Sequence, residues 1–315
     1  MKLCDLHCDT LFEIIKRKKH LYDFDGHLSL DKLSGYEGFI QVMAMWSENK
    51  RSIDENYDAF LNSAGVLENE LSYADKKGYK VRLARSGADI IKNESDGYST
   101  VIFAVEGAKL LDNSIARLEM LYSLGVRLLT LVWAGTCPMG GAHDNDEPLS
   151  EFGLEVVKKC FEIGIIPDVS HANARQIDQT LELACKYSKP IVATHSNSCA
   201  VHKHTRNLSN EHYKAIVSLG GVVGVSTACE HLNFKDATAD DMVKHIMHYY
   251  SLAPNGVCLG CDFDGVERLP EPLKCVADIG MLTELLTKEG LGKSEIQNIV
   301  YNNARDFLVN NLGRI

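Results

Sequence analysis

The sequence predicts an α/β fold, a (β/α)8 TIM barrel of eight parallel strands that alternate with helices. Short apolar runs recur along the whole chain, helical patterns separate most of them, and several runs end in His, Asp or Glu. Runs of this length, bounded by Gly or Pro and rich in Val and Ile, are typical of buried parallel strands. The eight runs are Leu3–His7, Phe39–Trp46, Val101–Glu106, Arg127–Trp133, Ile165–His171, Pro190–His195, Gly221–Thr227 and Gly256–Asp262.

Helical patterns lie between these runs and after the last one. The apolar spacing of Ile53–Lys77 predicts one long amphipathic helix. Ser209 is expected to be the N-cap of a later helix, with Glu211 and His212 in its first turn. The other predicted helices are Asn113–Leu124, Phe152–Ile163, Ala172–Lys186, Ser209–Leu219 and Asp240–Tyr250, followed by two closing helices, Asp278–Glu289 and Lys293–Asn310.

These elements are predicted to form one domain, residues 1–315, because no repeat, low-complexity tract or linker divides the chain. Thr10–Gly38 and Thr136–Ser150 are expected to be long loops on the side of the barrel where active sites lie. An open doubly wound sheet is the alternative fold. It is disfavoured because no glycine-rich phosphate-binding motif follows the first strand.

Composition limits the classes of partner and the location. The 315 residues are 45% hydrophobic and 24% charged, as in ordinary globular proteins. A formal net charge of -10 disfavours nucleic acid as a partner. No apolar run reaches the length of a membrane span, and Asp5, His7 and Asp9 come too early for a signal peptide. We therefore expect a cytoplasmic protein without membrane contact, whose ten cysteines are free thiols.

Ionisable side chains end several predicted strands, at the barrel end where such folds build active sites. His7 and Asp9 are two positions apart, so both would point to one face of a strand and could bind one cation. Glu106 ends the apolar run that begins at Val101, where a lone carboxylate would be costly without a cation or donors. His-x-Asp alone could equally be a solvated turn. Its combination with a buried carboxylate favours a metal site.

His171 and His195 end two consecutive predicted strands. One such histidine is more often a core residue than a ligand, but two beside a buried carboxylate favour ligation. Three nitrogens and two carboxylates suit two zinc-like ions. One ion would bind His7 and Asp9, the other would bind the two later histidines, and Glu106 would span both. Such a pair, about 3.5–4 Å apart, can hold a hydroxide and polarise a carbonyl, which predicts a metal-dependent hydrolase.

Nine short motifs occur in the order and spacing found in one known family. They are Asp5-Leu-His-Cys-Asp9, Val105-Glu106-Gly107, Arg127-Leu-Leu-Thr-Leu131, Asp168-Val-Ser-His171, Thr194-His-Ser-Asn197, His204-Thr-Arg-Asn207, Gly220-Gly-Val-Val223, Gly260-Cys-Asp-Phe-Asp-Gly265 and Asn303-Ala-Arg305. Through them the chain resembles, nearly end to end, the membrane dipeptidase family, also called renal dipeptidase. The resemblance implies a dizinc (β/α)8 metallopeptidase. The implied metal ligands are His7, Asp9, Glu106, His171 and His195, with Glu106 as the bridge.

The resemblance also implies roles outside the ligand set. Arg206 matches the arginine that holds the substrate's C-terminal carboxylate, and Asn207 beside it is expected to bind substrate as well. The residue type alone leaves a surface ion pair open for Arg206. Asp262 matches the catalytic carboxylate that transfers a proton, acting with Glu106. Trp133 stands where mammalian members have a histidine on the scissile carbonyl, and tryptophan cannot accept a proton. We therefore expect Trp133 to contact a different range of substrates.

The predicted function is hydrolysis of dipeptides, L,D-dipeptides included, by a metal-bridging hydroxide with two Zn2+ per chain. Manganese or cobalt could replace zinc in this ligand set. An alternative keeps the metals and changes the substrate to N-acyl amino acids, lactones or phosphoesters. A barrel that binds ligand without catalysis is disfavoured, because all the ligand positions are intact and buried charge is costly to keep. The resemblance further suggests a homodimer.

Overall fold

The computed structural model, which describes residues 1–233 and 236–314, is the α/β barrel that the sequence predicts. Its parallel sheet runs in the order β6-β5-β4-β2-β1-β8-β7, and β3 pairs beside the start of β4. The strands are β1 (Lys2–Cys8), β2 (Gly38–Trp46), β3 (Val81–Leu83), β4 (Ser99–Glu106), β5 (Val126–Thr130), β6 (Ile166–Asp168), β7 (Val223–Val225) and β8 (Val257–Leu259).

A short segment closes the ring between β6 and β7. Val192 bridges to Asp168 at the end of β6, and Ala193 bridges to Val223 at the start of β7. The prediction of a full strand over Pro190–His195 was therefore wrong in length. A side chain replaces the ladder here, because the Asp168 carboxylate accepts the backbone N–H of Thr194 at 2.9 Å.

Several other strands end earlier than predicted. β5, β6 and β8 end at Thr130, Asp168 and Leu259, three residues before the ends of the predicted runs. His171 and Asp262 have φ values of 69° and 63°, a left-handed conformation that no strand can include. The ionisable residues of this part of the barrel therefore lie in turns beyond the strands.

The helices cover the outside of the sheet. They are α1 (Thr10–Arg17), α2 (Leu30–Leu33), α3 (Ile53–Lys76), α4 (Gly87–Ser95), α5 (Ile115–Ser123), α6 (Glu151–Ile163), α7 (Ala174–Tyr187), α8 (Asn210–Ser218), α9 (Cys229–Asn233), α10 (Ala239–Leu252), α11 (Gly280–Lys288), α12 (Lys293–Gln297) and α13 (Asn303–Asn311). Short 3-10 helices cover Ala108–Leu111 and Val276–Ile279, and a π-helical turn over Asn298–Asn302 joins α12 to α13.

Most of the predicted helices are confirmed to within a few residues. Ser209 is the N-cap of α8, and its side chain accepts the N–H of His212 at 3.1 Å, as expected. The prediction of a plain loop over Thr10–Gly38 was wrong, because α1 and α2 lie within it. The first of these buries Leu11, Phe12 and Ile14, an i, i+3 pattern too short to stand out in the sequence.

Apolar side chains fill the space between the sheet and the helices. Phe60 of α3 stacks on Phe103 of β4 with ring centroids 5.6 Å apart, and both are almost fully buried. Burial of this kind contributes about 25 cal/mol for each Å² of apolar surface removed from water. All ten cysteines are free, as predicted. No helix in the described ranges has the length and apolarity that a bilayer crossing requires.

Candidate metal centre

The barrel brings the five predicted ligand side chains to the carboxyl end of its sheet. His7 lies in β1, Asp9 follows at the N-cap of α1, and Glu106 is the last residue of β4. His171 lies in the turn after β6, and His195 follows the segment that closes the ring. Residues from four separate stretches of chain therefore meet at one rim, and all five are buried.

One oxygen of Glu106 faces three imidazoles. Glu106 Oε1 lies 2.9 Å from Nε2 of His171, 3.3 Å from Nε2 of His195 and 3.6 Å from Nε2 of His7. The Nε2 atoms of His171 and His195 are themselves 2.9 Å apart. Nitrogens this close around one carboxylate oxygen leave space for a ligand of cationic size, but not for an intervening side chain.

A second group of ligand atoms lies on the other side of His7. Its Nε2 is 3.6 Å from Asp9 Oδ2 and 3.8 Å from Asp262 Oδ1. His7, Asp9 and Asp262 thus form one triad, and Glu106, His171 and His195 form another; in each, the ligand atoms lie within 4.8 Å of one another. His7, Asp168 and His195 form a third triad within the same distance, and the predicted division into two ion sites stays a prediction.

Hydrogen bonds at the far ring nitrogens orient two of the histidines. His171 Nδ1 lies 3.0 Å from the backbone oxygen of Trp133, and a carbonyl can only accept, so the ring donates from Nδ1. His195 Nδ1 lies 2.8 Å from the hydroxyl of Thr194, which itself donates to Asp168 Oδ2 at 2.6 Å. With the proton held on Nδ1, each Nε2 presents a lone pair to the centre, as a metal ligand requires.

The carboxylates around His7 create a field that favours positive charge. Burial lowers the pKa of His7, but Glu106, Asp9 and Asp262 outweigh it and raise the pKa to about 10. Burial and the charge of Glu106 raise the pKa of Asp9 to about 6. A divalent cation at this position would meet the same field and would displace these protons from the ligand atoms.

The two histidines of the second triad are neutral. Burial lowers the pKa of His171 and of His195 well below the usual value, and nearby positive groups add to the effect. Burial raises the pKa of Glu106, but His7 and His195 more than reverse this, so that its pKa is lowered. Neutral imidazoles and an ionised carboxylate are the forms that bind a metal ion.

Two buried polar atoms at the centre support a cation. His7 Nε2 and Asp9 Oδ1 have no hydrogen-bond partner among residues 1–233 and 236–314. A buried polar atom without a partner costs about 1–3 kcal/mol, and a coordinated ion removes that cost. The imidazole and carboxylate ligands present here are those that divalent zinc, manganese and cobalt accept. The residues therefore fit a divalent metal centre.

Arg206 is buried beside this centre. Its Nη2 donates to the backbone oxygen of His195 at 3.4 Å, and its Nε has no hydrogen-bond partner in the described parts of the chain. Burial lowers its pKa to about 10, which leaves the guanidinium charged at neutral pH. Arg206 is only 5% exposed, and it takes part in none of the ion pairs that the described residues form. A surface ion pair, the open alternative for this residue, is therefore excluded.

Trp133 and Asn207 lie in the loops around the centre. The half-buried indole of Trp133 has its ring centroid 5.9 Å from that of His171 and 4.9 Å from that of Trp46. Asn207 donates its side-chain N–H groups to the backbone oxygens of His202 and His231, both at 2.8 Å. Asn207 Oδ1 is buried and has no partner among the described residues.

Asp262 is held by its neighbours rather than by a strand. Its backbone N–H donates to His7 O at 3.0 Å, and the preceding Cys261 N–H donates to Asp5 Oδ1 at 3.1 Å. A Cβ on Gly265 would lie 2.3 Å from both Asp262 Oδ1 and Asp9 Oδ2, so only glycine allows these carboxylates to approach. Burial, assisted by Asp9, raises the pKa of Asp262 well above its usual range.

Sequence reasoning missed the residues that support the ligands. The side chains of Asp168, Thr194 and Asp5 hold His195 and the turn before Asp262. One signal was available: Asp5 and Asp168 both lie inside apolar runs, where a carboxylate needs several donors to be tolerated. That signal indicates a partner without identifying it.

Comparison with known proteins gives a consistent result. Residues 1–306 match the sequence model of the membrane dipeptidase family, peptidase family M19. An uncharacterized dipeptidase of Schizosaccharomyces pombe is 26% identical over 314 residues, which cover 91% of this chain and 74% of that relative.

Two solved structures have the same fold. Dipeptidase AC, a metallopeptidase of family M19, has a TM-score of 0.89 at 24% identity, with 100% of this chain and 99% of that chain covered. A metallopeptidase from Rhodobacter sphaeroides, liganded with a phosphinate mimic of the dipeptide L-Ala-D-Ala, has a TM-score of 0.88 at 23% identity, with 99% of each chain covered. The chain belongs to the membrane dipeptidase family and is a metallopeptidase.

Proposed function

We propose that this metallopeptidase hydrolyses dipeptides with two zinc ions. The proposed ligands are His7, Asp9, Glu106, His171 and His195, with Glu106 shared by both ions. One observation carries the proposal: a single oxygen of Glu106 lies within 3.6 Å of the Nε2 atoms of three histidines. A carboxylate in that position suits a pair of ions with nitrogen and oxygen ligands.

The chemistry divides between the ions and the chain. Two such ions, when bound, polarise a carbonyl and lower the pKa of an attacking water toward about 7. Arg206 binds the C-terminal carboxylate of the dipeptide, because a buried guanidinium with an unpaired N–H can bind a carboxylate bidentately. Asp262 transfers a proton from the attacking water to the departing amine, and burial raises the pKa of its carboxyl, which favours the protonated form.

Trp133 and Asn207 complete the proposed substrate contacts. The indole of Trp133 forms a wall beside His171 and offers one N–H donor to the substrate. Asn207 Oδ1 is a buried acceptor without a partner among the described residues, and a substrate N–H would satisfy it. Its amide nitrogen is already used by two backbone oxygens, so only the oxygen is available.

L,D-dipeptides belong to the proposed substrates. The Rhodobacter sphaeroides metallopeptidase, similar in fold to this chain, is liganded with a mimic of L-Ala-D-Ala. N-acyl amino acids, lactones and phosphoesters are the alternative substrates. Arg206 favours substrates with a free carboxylate, which lactones and phosphoesters lack.

The metal content of purified protein tests the ligand set. We expect about two zinc equivalents per chain in the wild type. Glu106→Gln should lower both metal occupancy and activity, the latter by more than about 100-fold, because a weaker ligand replaces the shared carboxylate. Glu37→Gln, an exposed substitution of the same kind, is the control. Normal turnover with one bound ion would contradict the shared role of Glu106.

A second variant separates the proton transfer from metal binding. Asp262→Asn should keep both metal equivalents and lose most of its turnover, because an amide cannot accept and return a proton. Turnover at the wild-type rate would remove Asp262 from the mechanism.

A substrate panel decides between the alternatives. L-Ala-D-Ala, L-Ala-L-Ala, N-acetylalanine, a lactone and a phosphoester are compared by kcat/KM, with Arg206→Lys as the variant. We expect the dipeptides to be cleaved best. The variant should raise their KM about tenfold, because lysine cannot form the bidentate pair. Faster cleavage of the lactone or the phosphoester would replace the dipeptidase proposal.

We also propose that the protein is a cytoplasmic homodimer. Ten free cysteines suit a reducing compartment. The dimer is supported by family resemblance alone. Light scattering on the purified protein tests the dimer, and a measured mass equal to that of one chain would contradict it.

A further inference from the structure

We propose that His143, His204 and His231 form a subsite for an acidic side chain on the C-terminal residue of the dipeptide. This inference rests on the proposed function, because Arg206 must hold the α-carboxylate of a dipeptide beside these three rings. It narrows the substrates to dipeptides whose second residue is Asp or Glu.

The three imidazoles come from three different loops at the carboxyl end of the sheet. His143 lies in the loop after β5, His204 in the loop after the segment that closes the ring, and His231 in α9 after β7. The rings of His204 and His231 have centroids 4.6 Å apart. The ring of His143 lies 5.9 Å from that of His171, a proposed metal ligand. Loops in these positions shape the substrate pockets of α/β barrels.

Hydrogen bonds hold these loops around Arg206. The backbone N–H of Arg206 donates to His204 Nδ1 at 3.1 Å, so the proton of the neutral His204 ring lies on Nε2. His143 Nδ1 is 3.0 Å from the hydroxyl of Thr205. Asn207 donates to the backbone oxygen of His231 at 2.8 Å. The segment around Arg206 is therefore bonded to the rings of His143 and His204 and to the backbone of His231.

The outward nitrogens of these rings lack protein partners. Within residues 1–233 and 236–314, Nε2 of His143, Nε2 of His204 and both ring nitrogens of His231 make no hydrogen bond. Arg206 Nε is also without a partner in that part of the chain, and this side chain is more than nine-tenths buried. These ring nitrogens and Arg206 Nε can therefore form hydrogen bonds with a ligand or with water.

The positive charge of Arg206 beside the three rings determines which ligands can bind there. Arg206 acts on all three rings, and together with burial it lowers the pKa of His143 to about 4 and also lowers those of His204 and His231. Each neutral ring has one N–H group, and on His204 it lies on the outward Nε2, beside the cation. The acidic groups that oppose this effect, Asp144 and Glu230, are both exposed.

Cationic, apolar and carboxylate side chains of a substrate would interact differently with these rings and with Arg206. A cationic side chain is repelled by Arg206. An apolar side chain leaves the ring N–H groups without a hydrogen-bond partner when it displaces water from them. A carboxylate accepts those N–H groups and is attracted by the guanidinium, which a single α-carboxylate neutralises only in part. The geometry therefore favours a dicarboxylic residue at the C-terminal position.

The test compares side chains on one substrate frame. In the zinc-loaded wild type, kcat/KM is measured for L-Ala-D-Asp, L-Ala-D-Ala and L-Ala-D-Lys and for the corresponding L,L-dipeptides. We expect the Asp substrate to exceed the Lys substrate by about tenfold or more. His231→Phe keeps the ring and removes two nitrogens without described partners, and it should lower the Asp-to-Ala ratio about tenfold. His204→Phe is a second variant with the same expected direction, and His212→Phe on α8 is the matched control.

Each outcome has a distinct meaning. A wild type that cleaves the Ala dipeptides without preferring Asp to Lys would overturn the subsite and leave the proposed function standing. An Asp-to-Ala ratio that is unchanged in both His231→Phe and His204→Phe would also overturn it. A wild type that cleaves no dipeptide would remove the proposed function, and the subsite with it.

Discussion

The two halves of the barrel hold the metal centre in different ways. In the half formed by β1, β2 and β4, the strands have seven, nine and eight residues, and His7 and Glu106 lie within them. In the half formed by β6, β7 and β8, each strand has three residues. There His171, His195 and Asp262 all lie beyond a strand end. One half positions its side chains by backbone pairing, and the other must use different means.

Backbone pairing positions Glu106 in the first half. Seven successive residue pairs join β2 to β4, from Ile40 with Thr100 to Trp46 with Glu106. The pairing continues for one more hydrogen bond, from the N–H of Ser47 to Glu106 O at 2.8 Å. A ladder that reaches the last residue of a strand fixes the direction of its side chain.

A buried carboxylate takes this role in the second half. Asp168 accepts hydrogen bonds from the hydroxyls of Thr130 and Thr194, both at 2.6 Å, and from the N–H groups of Ser170 and Thr194, both at 2.9 Å. One side chain thus connects β5, β6 and the segment that carries His195. We therefore expect metal binding and stability to be coupled in the second half and to be separable in the first, where long strands position the ligands.

The largest expected effect tests the close packing of the second half. A Cβ at Gly260 would lie 1.6 Å from Thr194 O, so Gly260→Ala must displace the backbone before His195. We expect it to lower the free energy of unfolding by about 4 kcal/mol or more, measured by urea denaturation. Gly38→Ala in β2 is the matched control, since nothing lies within 4 Å of its Cβ position. Equal stability of both variants would break the comparison.

The next effect tests the coupling itself. Asp168→Asn replaces one of two carboxylate oxygens, each of which accepts two hydrogen bonds, by an amide nitrogen, so we expect a loss of about 3 kcal/mol. The zinc affinity should fall at least about tenfold, because Thr194 no longer orients His195. Urea denaturation and metal titration measure the two effects. Asp96→Asn, an exposed carboxylate in the first half, should change neither. Full metal affinity in a destabilised Asp168→Asn protein would refute the coupling.

The smallest effect sharpens the comparison with one substitution in the first half and one in β5, beside the second half. Thr130→Val removes one hydrogen bond to the Asp168 carboxylate and should cost about 1.5 kcal/mol. Thr100→Val, at an equally buried position in β4, removes one neutral bond from Asn93 and should cost about 1 kcal/mol or less. Only the first should weaken zinc binding in a titration. A loss of zinc affinity in Thr100→Val would mean that the long strands are coupled to the centre as well.

Periodicity in the sequence identified most of the strands of the barrel and most of its helices. Apolar runs and helical spacing are local consequences of burial, so they can be recognised without knowing the partners. The missed elements are short: β3 has three residues, and α1, α2, α4 and α9 have eight, four, nine and five. Segments of this length contain too few residues for a period to appear, and tertiary packing stabilises them.

The candidate site was predictable in its residue types but not in its supports. Asp9 lies close to His7, as predicted. It does so from a helix N-cap with φ -100°, however, and not from a strand. His171 and Asp262 were expected at strand ends and lie in left-handed turns instead. The prediction that site residues lie on strands was therefore right only for the residues within the observed strands.

The sequence by itself determined the fold class and the set of ionisable residues available to one rim, because both follow from hydrophobic patterning along the chain. Only the tertiary structure decided which nitrogen of each histidine faces Glu106, and that Asp168 and Thr194 orient His195. Hydrogen-bond partners are set by how separate strands and turns approach across the barrel. Spacing along the chain carries no information about that approach.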